Sequence, residues 1–417
     1  MSVETEAQPG HAATTERIPI GVFMLAFGVF VVGTGEFVLA GLIPQLADQF
    51  AISTGAAGQV VTVFALTCGI AAPLLTTLTA RWSRREVLLA AGAVYLLGSA
   101  ATALAPSFPL VLAAQFTAAI GAGVFVPNAS VSAAAMAPPA KSGKAIALVV
   151  TGFTVAVAAG APAGTAIGAE AGWRTTLWLA TGLAALGVAG VAALVPRSLR
   201  VADAGGLRAR ARPLADRRVL ALLATTLVAF TAVYIPYTYI GAIFQPATDG
   251  DGLRLALLMV VLGIAGTAGN LIAGSLADRL GGARVVTTAL GGLIVALLAL
   301  PAATGAFASS LAAIAFYGVV AFAITSPQQH RLIAASPGGA AVVLSLNQAV
   351  LYLALALSGI VGAAGIDAFG ARALGFVAAA IAGVALLLSR DRAPTRPGAR
   401  SFFRSARGCR SSVRTEQ

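Results

Sequence analysis

Glu36 stands where a carboxyl group is expensive, inside a long apolar run of this 417-residue chain, in the sequence Gly33-Thr34-Gly35-Glu36-Phe37. An ionised side chain at the centre of a membrane costs on the order of 3 kcal/mol on insertion scales, so such a residue persists with a cavity, a partner or a proton. No other apolar run holds Asp, Glu, Lys or Arg in its interior, which leaves Glu36 without a permanent ion pair. It is therefore expected to be protonated in at least one state of a working cycle, and to release its proton when its surroundings become wet or a cationic ligand arrives. Binding and proton release would then be coupled. Two other readings stay open: a carboxylic acid hydrogen-bonded to a neighbouring helix for packing, or one solvated near the outer surface. A helix starting near Pro19 puts Glu36 about 25 Å along its axis, past the midplane towards the outer side.

A second pattern is Gly160-Ala161-Pro162-Ala163-Gly164, with Gly152 before it and Gly168 after it. Small residues four apart form a flat helix face that allows close approach, and Pro162 removes a backbone bond and bends the helix. The expected use is a rocking interface; the plainer one is ordinary membrane-helix packing. Polar and aromatic residues on several runs are candidates to line a central cavity: Phe37, Gln115, Asn128, Tyr234, Tyr237, Tyr239, Asn270, Asn347 and Gln348. Such a lining suits neutral or cationic amphiphiles, bound largely by apolar burial. Each of these residues could equally be interhelical glue or an interface anchor.

The elements that must position these residues follow from composition. Hydrophobic residues make up 58% of the chain and charged ones only 10%, too few to cover a soluble fold of this length. Charge-poor runs of about twenty residues recur along nearly the whole chain, long enough to cross the hydrocarbon as helices that satisfy their own backbone bonds. We place twelve, at about 19 to 43, 58 to 80, 86 to 105, 109 to 135, 145 to 168, 174 to 195, 218 to 244, 255 to 277, 284 to 304, 307 to 328, 340 to 364 and 370 to 389. The fold class is thus an all-α integral membrane protein with two pseudo-symmetric six-helix bundles. The expected divisions are a cytoplasmic segment 1–18, a first bundle 19–195, a basic linker 196–217, a second bundle 218–389 and a basic tail 390–417.

The net charge of +12 invites a nucleic-acid reading, but its location decides otherwise. With the N-terminus inside, all but three of the 27 Lys and Arg (Arg174, Arg254 and Arg372) fall in cytoplasmic connections, which fixes the orientation by the positive-inside rule. Both termini are expected in the cytoplasm and no processed signal peptide is expected. Cys68 lies within a run and Cys409 in the tail, poorly placed to pair and without metal-ligand spacing.

Short basic turns repeat between the halves: Leu78-Thr79-Ala80-Arg81-Trp82-Ser83-Arg84-Arg85 after the second run, and Leu276-Ala277-Asp278-Arg279-Leu280-Gly281-Gly282-Ala283-Arg284 after the eighth. Parallel repeats with a site between them are a transporter architecture. The chain lacks a Gly-x-x-x-x-Gly-Lys-Ser/Thr phosphate loop, which argues against an ATP-driven pump. Its two histidines, His11 and His330, adjoin no acid or nucleophile cluster, which argues against an enzyme.

These residues resemble the major facilitator superfamily. Its signature loop, Gly-x-Leu-Ala-Asp-Arg-x-Gly-Arg-Arg, is matched by Gly274, Leu276, Ala277, Asp278 and Arg279; the first copy keeps Leu78, Arg81, Arg84 and Arg85 but has Ala80 where the family usually has Asp. Gly160, Pro162 and Gly164 resemble the antiporter motif of the drug:proton branch, Gly-x-Pro-x-x-Gly, and Gly-Thr-Gly-Glu-Phe followed by Gly41-Leu42-Ile43-Pro44 looks like the chloramphenicol-resistance and arabinose-efflux group. The resemblance covers about residues 18 to 390. It implies alternating access, gating by the basic loops at Arg81, Arg84, Arg85, Asp278 and Arg279, and a span-5 motif that favours export. Gln115 falls near the position where the family generally has an Arg implicated in proton coupling, which leaves Glu36 as the embedded proton carrier. With Ala80 in place of an acid, Asp278 would carry more of the gate. The function implied is export of drug-like amphiphiles such as antibiotics by proton antiport from the plasma membrane, by a monomer without a cofactor or nucleic-acid partner. A sugar or metabolite exporter and a passive facilitator of the same fold are the alternatives.

Overall fold

The structure, a computed structural model, describes residues 17–79, 82–138, 141–197, 199, 212–336 and 339–390. Arg81 and Ala80 of the first basic turn, most of the linker, the tail and the first sixteen residues lie outside them. Twelve helices are long and apolar enough to cross a membrane. We number them α1 (Ile20–Phe50), α2 (Thr54–Leu78), α3 (Arg84–Leu104), α4 (Phe108–Met136), α5 (Ser142–Ala171), α6 (Trp173–Leu194), α7 (Arg217–Thr238), α8 (Gly252–Leu280), α9 (Gly282–Ala303), α10 (Phe307–Ala335), α11 (Ala340–Phe369) and α12 (Leu374–Arg390). The twelve expected runs each correspond to one of them.

The two halves have the same internal packing. In the first half α1 packs on α5 and α6, α2 on α4, and α3 on α4 and α6; in the second, α7 packs on α11 and α12, α8 on α10, and α9 on α10 and α12. Between the halves α2 meets α11 and α5 meets α8, which are the same pairing with the halves exchanged. This is the expected all-α fold of two pseudo-symmetric six-helix bundles.

Several helices run past their expected ends. Pro44 does not terminate α1, which continues to Phe50 with Leu46 and Ala47 buried and Ala51 closing it in the left-handed region at φ 51°. Glu36 is therefore roughly 24 Å along a helix of 31 residues, about 46 Å, and sits at its middle rather than towards the outer side. On α10 the chain bends at Ala323 and Ile324 and resumes at Thr325, so Pro327 lies in a first turn, where its missing N–H costs little. The helix then carries His330 and Arg331 to its inner end, beyond the expected stop at 328. The second basic turn is mostly helix: α8 holds Asp278 and Arg279, and the reversal is made by Gly281 at φ 86°.

The span-5 glycines face a different partner from the one expected. Gly152 lies against the Ala26 carbonyl, Gly160 against Thr34, Gly164 against Val38 and Gly168 against Leu42, all on α1 in the same half. The contacts of α5 across to α8 are made instead by Ala158, near Gly263, Thr165, whose Oγ1 is 3.4 Å from Met259 Sδ, and Ala169, near Gly252. Glycine is required where one backbone meets another, and the rocking surface is built from the Ala and Thr on the adjacent face. Within α5, Ala156–Gly160 forms a π turn just ahead of Pro162, the wider turn leaving room for a helix that lacks one N–H.

Gly152→Val should force α1 and α5 apart and lower stability by about 1–3 kcal/mol, read as a fall in the thermal unfolding midpoint of the detergent-solubilised protein. Gly182→Ala, with nothing within 4 Å of the added methyl, should be neutral or slightly stabilising.

Candidate functional site

The turn that carries Glu36 is shaped by its small residues. A methyl on Gly33 would lie 2.9 Å from Ala156 Cβ of the π turn, and one on Gly35 would occupy the place of the Tyr95 hydroxyl. Tyr95 reaches in from α3 and donates to the Val31 carbonyl at 3.4 Å. On the next residue, the Phe37 ring stands edge-on to Phe153 of α5 at 5.2 Å and to Tyr237 of α7 at 5.6 Å, while the Tyr237 hydroxyl donates to the Phe37 carbonyl at 3.0 Å. Helices of both halves thus close on the middle of α1.

Glu36 itself is 5% exposed. The Tyr352 phenol of α11 is its hydrogen-bonding neighbour, and Cys68 of α2, Tyr95 of α3 and Tyr234 and Tyr237 of α7 lie within its electrostatic reach. Oε2 of the carboxyl is buried without a hydrogen-bond partner. The chain has six tyrosines, and four of them surround this one acid. A phenol can donate to a carboxyl oxygen and its ring face attracts a cation, so the surroundings tolerate either a proton or a positively charged group at Glu36.

The expected cavity residues divide. Phe37, Tyr234 and Tyr237 come together at Glu36. Tyr239 instead bonds the Gly359 carbonyl at 2.6 Å and packs against Gly58 and Gly362 between the halves. The amides mostly join helices within one half: Gln115 donates to Thr102 at 3.3 Å, Asn270 accepts from the Ser326 amide at 3.2 Å, and Asn347 accepts from Thr226 at 3.2 Å. Gln348 is exposed on α11. Tyr95, Tyr352 and Cys68 were not expected at the site, since single residues in apolar runs look like packing. The available signal was scarcity: all six tyrosines lie within the expected runs.

The basic turns are held differently in the two halves. Ser83 and Glu86 form a capping box that starts α3, and Arg84, 9% exposed, donates from Nη1 to Asn128 Oδ1 at 2.8 Å. Arg85 donates from Nη2 to the Ala192 carbonyl at the end of α6, a position where helix carbonyls welcome a cation. Asn128 is thereby tied to a basic turn and does not line the cavity. Asp278 and Arg279 are exposed and make no ion pair among the described residues.

Two bundles related by a repeat, with a buried acid between them and helices long enough to cross a bilayer, define a secondary transporter. A family model described as Major Facilitator Superfamily matches residues 25–357, and the chain belongs to that family. It is similar to the inner membrane transport protein YdhP of Escherichia coli (strain K12), 30% identical over 89% of this chain and 95% of the relative. It is also similar to a chloramphenicol resistance protein of Streptomyces lividans, 30% identical over 83% of this chain and 89% of the relative. Among solved structures, a D-xylose-proton symporter matches with a TM-score of 0.73 at 17% identity, over 89% of this chain and 97% of that one. The xylose transporter XylE from E. coli matches with a TM-score of 0.68 at 15% identity, over 91% and 98%. The chain is therefore a multi-pass plasma-membrane carrier that moves small molecules by alternating access, and not an enzyme.

Arg84→Ala should orphan the buried Asn128 amide and cost about 1–3 kcal/mol, whereas Asp278→Asn should change stability by less than about 0.5 kcal/mol. Thermal unfolding in one detergent, compared for the two variants, checks both.

Proposed function

We propose that this carrier exports small amphiphiles, antibiotics among them, in exchange for protons, with Glu36 as the proton-carrying residue. The observation that carries the reading is the buried carboxyl at the middle of α1, ringed by tyrosines from both halves and without a basic partner. A permanent ion pair would hold it charged throughout; without one, a proton or a cationic cargo is what can neutralise it. The similarity to a chloramphenicol resistance protein supports drug-like cargo, and the apolar and aromatic surroundings of Phe37, Tyr234 and Tyr237 suit a ligand bound mainly by burial.

The span-5 run Gly160, Pro162 and Gly164 fits this reading through its contact with Thr34 and Val38, the residues on either side of the acid on α1. Movement of α5 against α8 would thus be felt at Glu36. The basic turns, with Arg84, Arg85, Asp278 and Arg279, are proposed to gate the cytoplasmic end; Arg81 belongs to the same turn and lies outside the described residues. Both termini are placed in the cytoplasm by the distribution of Lys and Arg. With that orientation, the contacts of Pro44 with Gly241, Gly55 with Ala363 and Ala169 with Gly252 close the outer end in this structure. The six-helix units at 19–195 and 218–389, joined by the linker, are the bodies that would rock.

Purified protein in liposomes with a pH-sensitive dye inside tests the reading, with chloramphenicol and tetraphenylphosphonium as probes. Wild type should move protons when a probe is added, and Glu36→Gln should reduce this at least about tenfold while probe exchange without a pH gradient continues, since only the exchangeable proton has been removed. Equal proton movement in both proteins, with the probe still crossing, overturns the assignment of Glu36. Wild-type transport that needs no gradient and moves no protons identifies a passive facilitator.

A further inference from the structure

The Glu36 carboxyl is in the first half of the molecule and its hydrogen-bonding neighbour is in the second. Tyr352 is 4% exposed on α11, on the face that meets α2: a methyl on Gly69 would lie 3.3 Å from Tyr352 Cβ and 3.7 Å from the Ala349 carbonyl. This close approach fixes the Tyr352 backbone against the first half. Its phenol then extends to α1 at Glu36, with one carboxyl oxygen, Oε2, left buried and unpartnered. The other groups facing Glu36 are accounted for. Cys68 of α2 donates to the Ala119 carbonyl at 3.3 Å, Tyr95 of α3 to the Val31 carbonyl, and Tyr237 of α7 to the Phe37 carbonyl. Tyr234 of α7 packs on Phe230 with ring centroids 5.8 Å apart. From α5 the approach is made by the side chains of Phe153 and Ala156, which do not titrate.

We propose that Tyr352 is the positioning residue for Glu36, holding one carboxyl oxygen from across the interface between the halves so that Oε2 is the oxygen that carries the exchangeable proton. The consequence is mechanical as well as chemical. Separation of α11 from α2 withdraws the phenol, so the carboxyl is held in one way when the interface is closed and in another when it opens. Cys68, Tyr95 and Tyr237, whose donors are spent on backbone carbonyls, cannot take over that task. The inference rests on the reading of Glu36 as the proton carrier.

Carbodiimide labelling tests it without any cargo. Dicyclohexylcarbodiimide is apolar and couples to protonated carboxyl groups in membranes, so its rate of attachment at Glu36, read by peptide mass spectrometry across a pH series, reports how the acid is held. Tyr352→Phe keeps the ring packed on Gly69 and removes only the hydroxyl; gel filtration in detergent verifies that it stays a single folded species. Labelling of Glu36 at pH 7 is expected to be about tenfold faster in this variant, the equivalent of losing one hydrogen bond to a charged group. Tyr234→Phe, a neighbour of the same chemistry that does not bond the carboxyl, should stay within about twofold of wild type. Labelling of Tyr352→Phe at the wild-type rate, or an equal change in Tyr234→Phe, overturns the assignment. Such a result removes Tyr352 from the mechanism and leaves proton antiport to be decided by transport in liposomes.

Discussion

A carboxyl group at the middle of a lipid-embedded helix has to be surrounded, and most of what is distinctive near α1 follows from that requirement. The turn before Glu36 is stripped to Gly33, Thr34 and Gly35, which lets α5 approach on one side and the Tyr95 hydroxyl on another. Bulkier residues there would hold the neighbours off and leave the acid facing lipid. The tyrosines supply apolar rings with polar ends, the kind of side chain that can be buried beside an acid without adding a second charge. The glycines of α5 complete the enclosure by following α1 in register from Ala26 to Leu42.

The pseudo-symmetry explains why this enclosure can also move. Because α5 meets α8 as α2 meets α11, the two halves touch through two equivalent seams that flank the acid. Each half keeps its own polar ties, Arg84 with Asn128 in the first and Thr226 with Asn347 in the second, so each can turn as a body without losing them. The seams carry small residues and few hydrogen bonds, with Tyr239 to Gly359 among the exceptions. Packing of this sort is easily parted, whereas a network of amides across the seam would resist separation.

Much of this was legible in the sequence, and the parts that were not have specific causes. Apolar runs and the position of Lys and Arg gave the twelve helices, and rarity singled out Glu36. Helix ends were misjudged at prolines: Pro44 continues α1 because the membrane leaves a helix no better alternative for its backbone, and Pro327 falls harmlessly in a first turn. Those errors moved Glu36 off centre and hid Arg331 within α10. The glycines of α5 were recognised as a close-packing face, yet periodicity gives only the face and not its partner. Asn128 and Gln115 looked like cavity residues because an amide in an apolar run serves a ligand or a neighbour equally well; only the coordinates place Arg84 and Thr102 beside them. Tyr352 depends on a contact between residues more than three hundred positions apart, and no local pattern encodes that.

Exchange of a proton for a cargo requires more than an acid that can titrate. A ligand shifts a two-state equilibrium only by the difference in its affinity for the two states, and coupling between proton and cargo is reciprocal. A carboxyl enclosed wholly by its own half would have the same surroundings whichever way the halves were turned, and its proton would then bias nothing. On the proposed reading, the difference is supplied by Tyr234, Tyr237 and Tyr352, which approach Glu36 from the second half and are displaced when the seams open. The acid and its surroundings thus belong to different bodies, and that division lets the protonation of one side chain be felt as a preference between conformations.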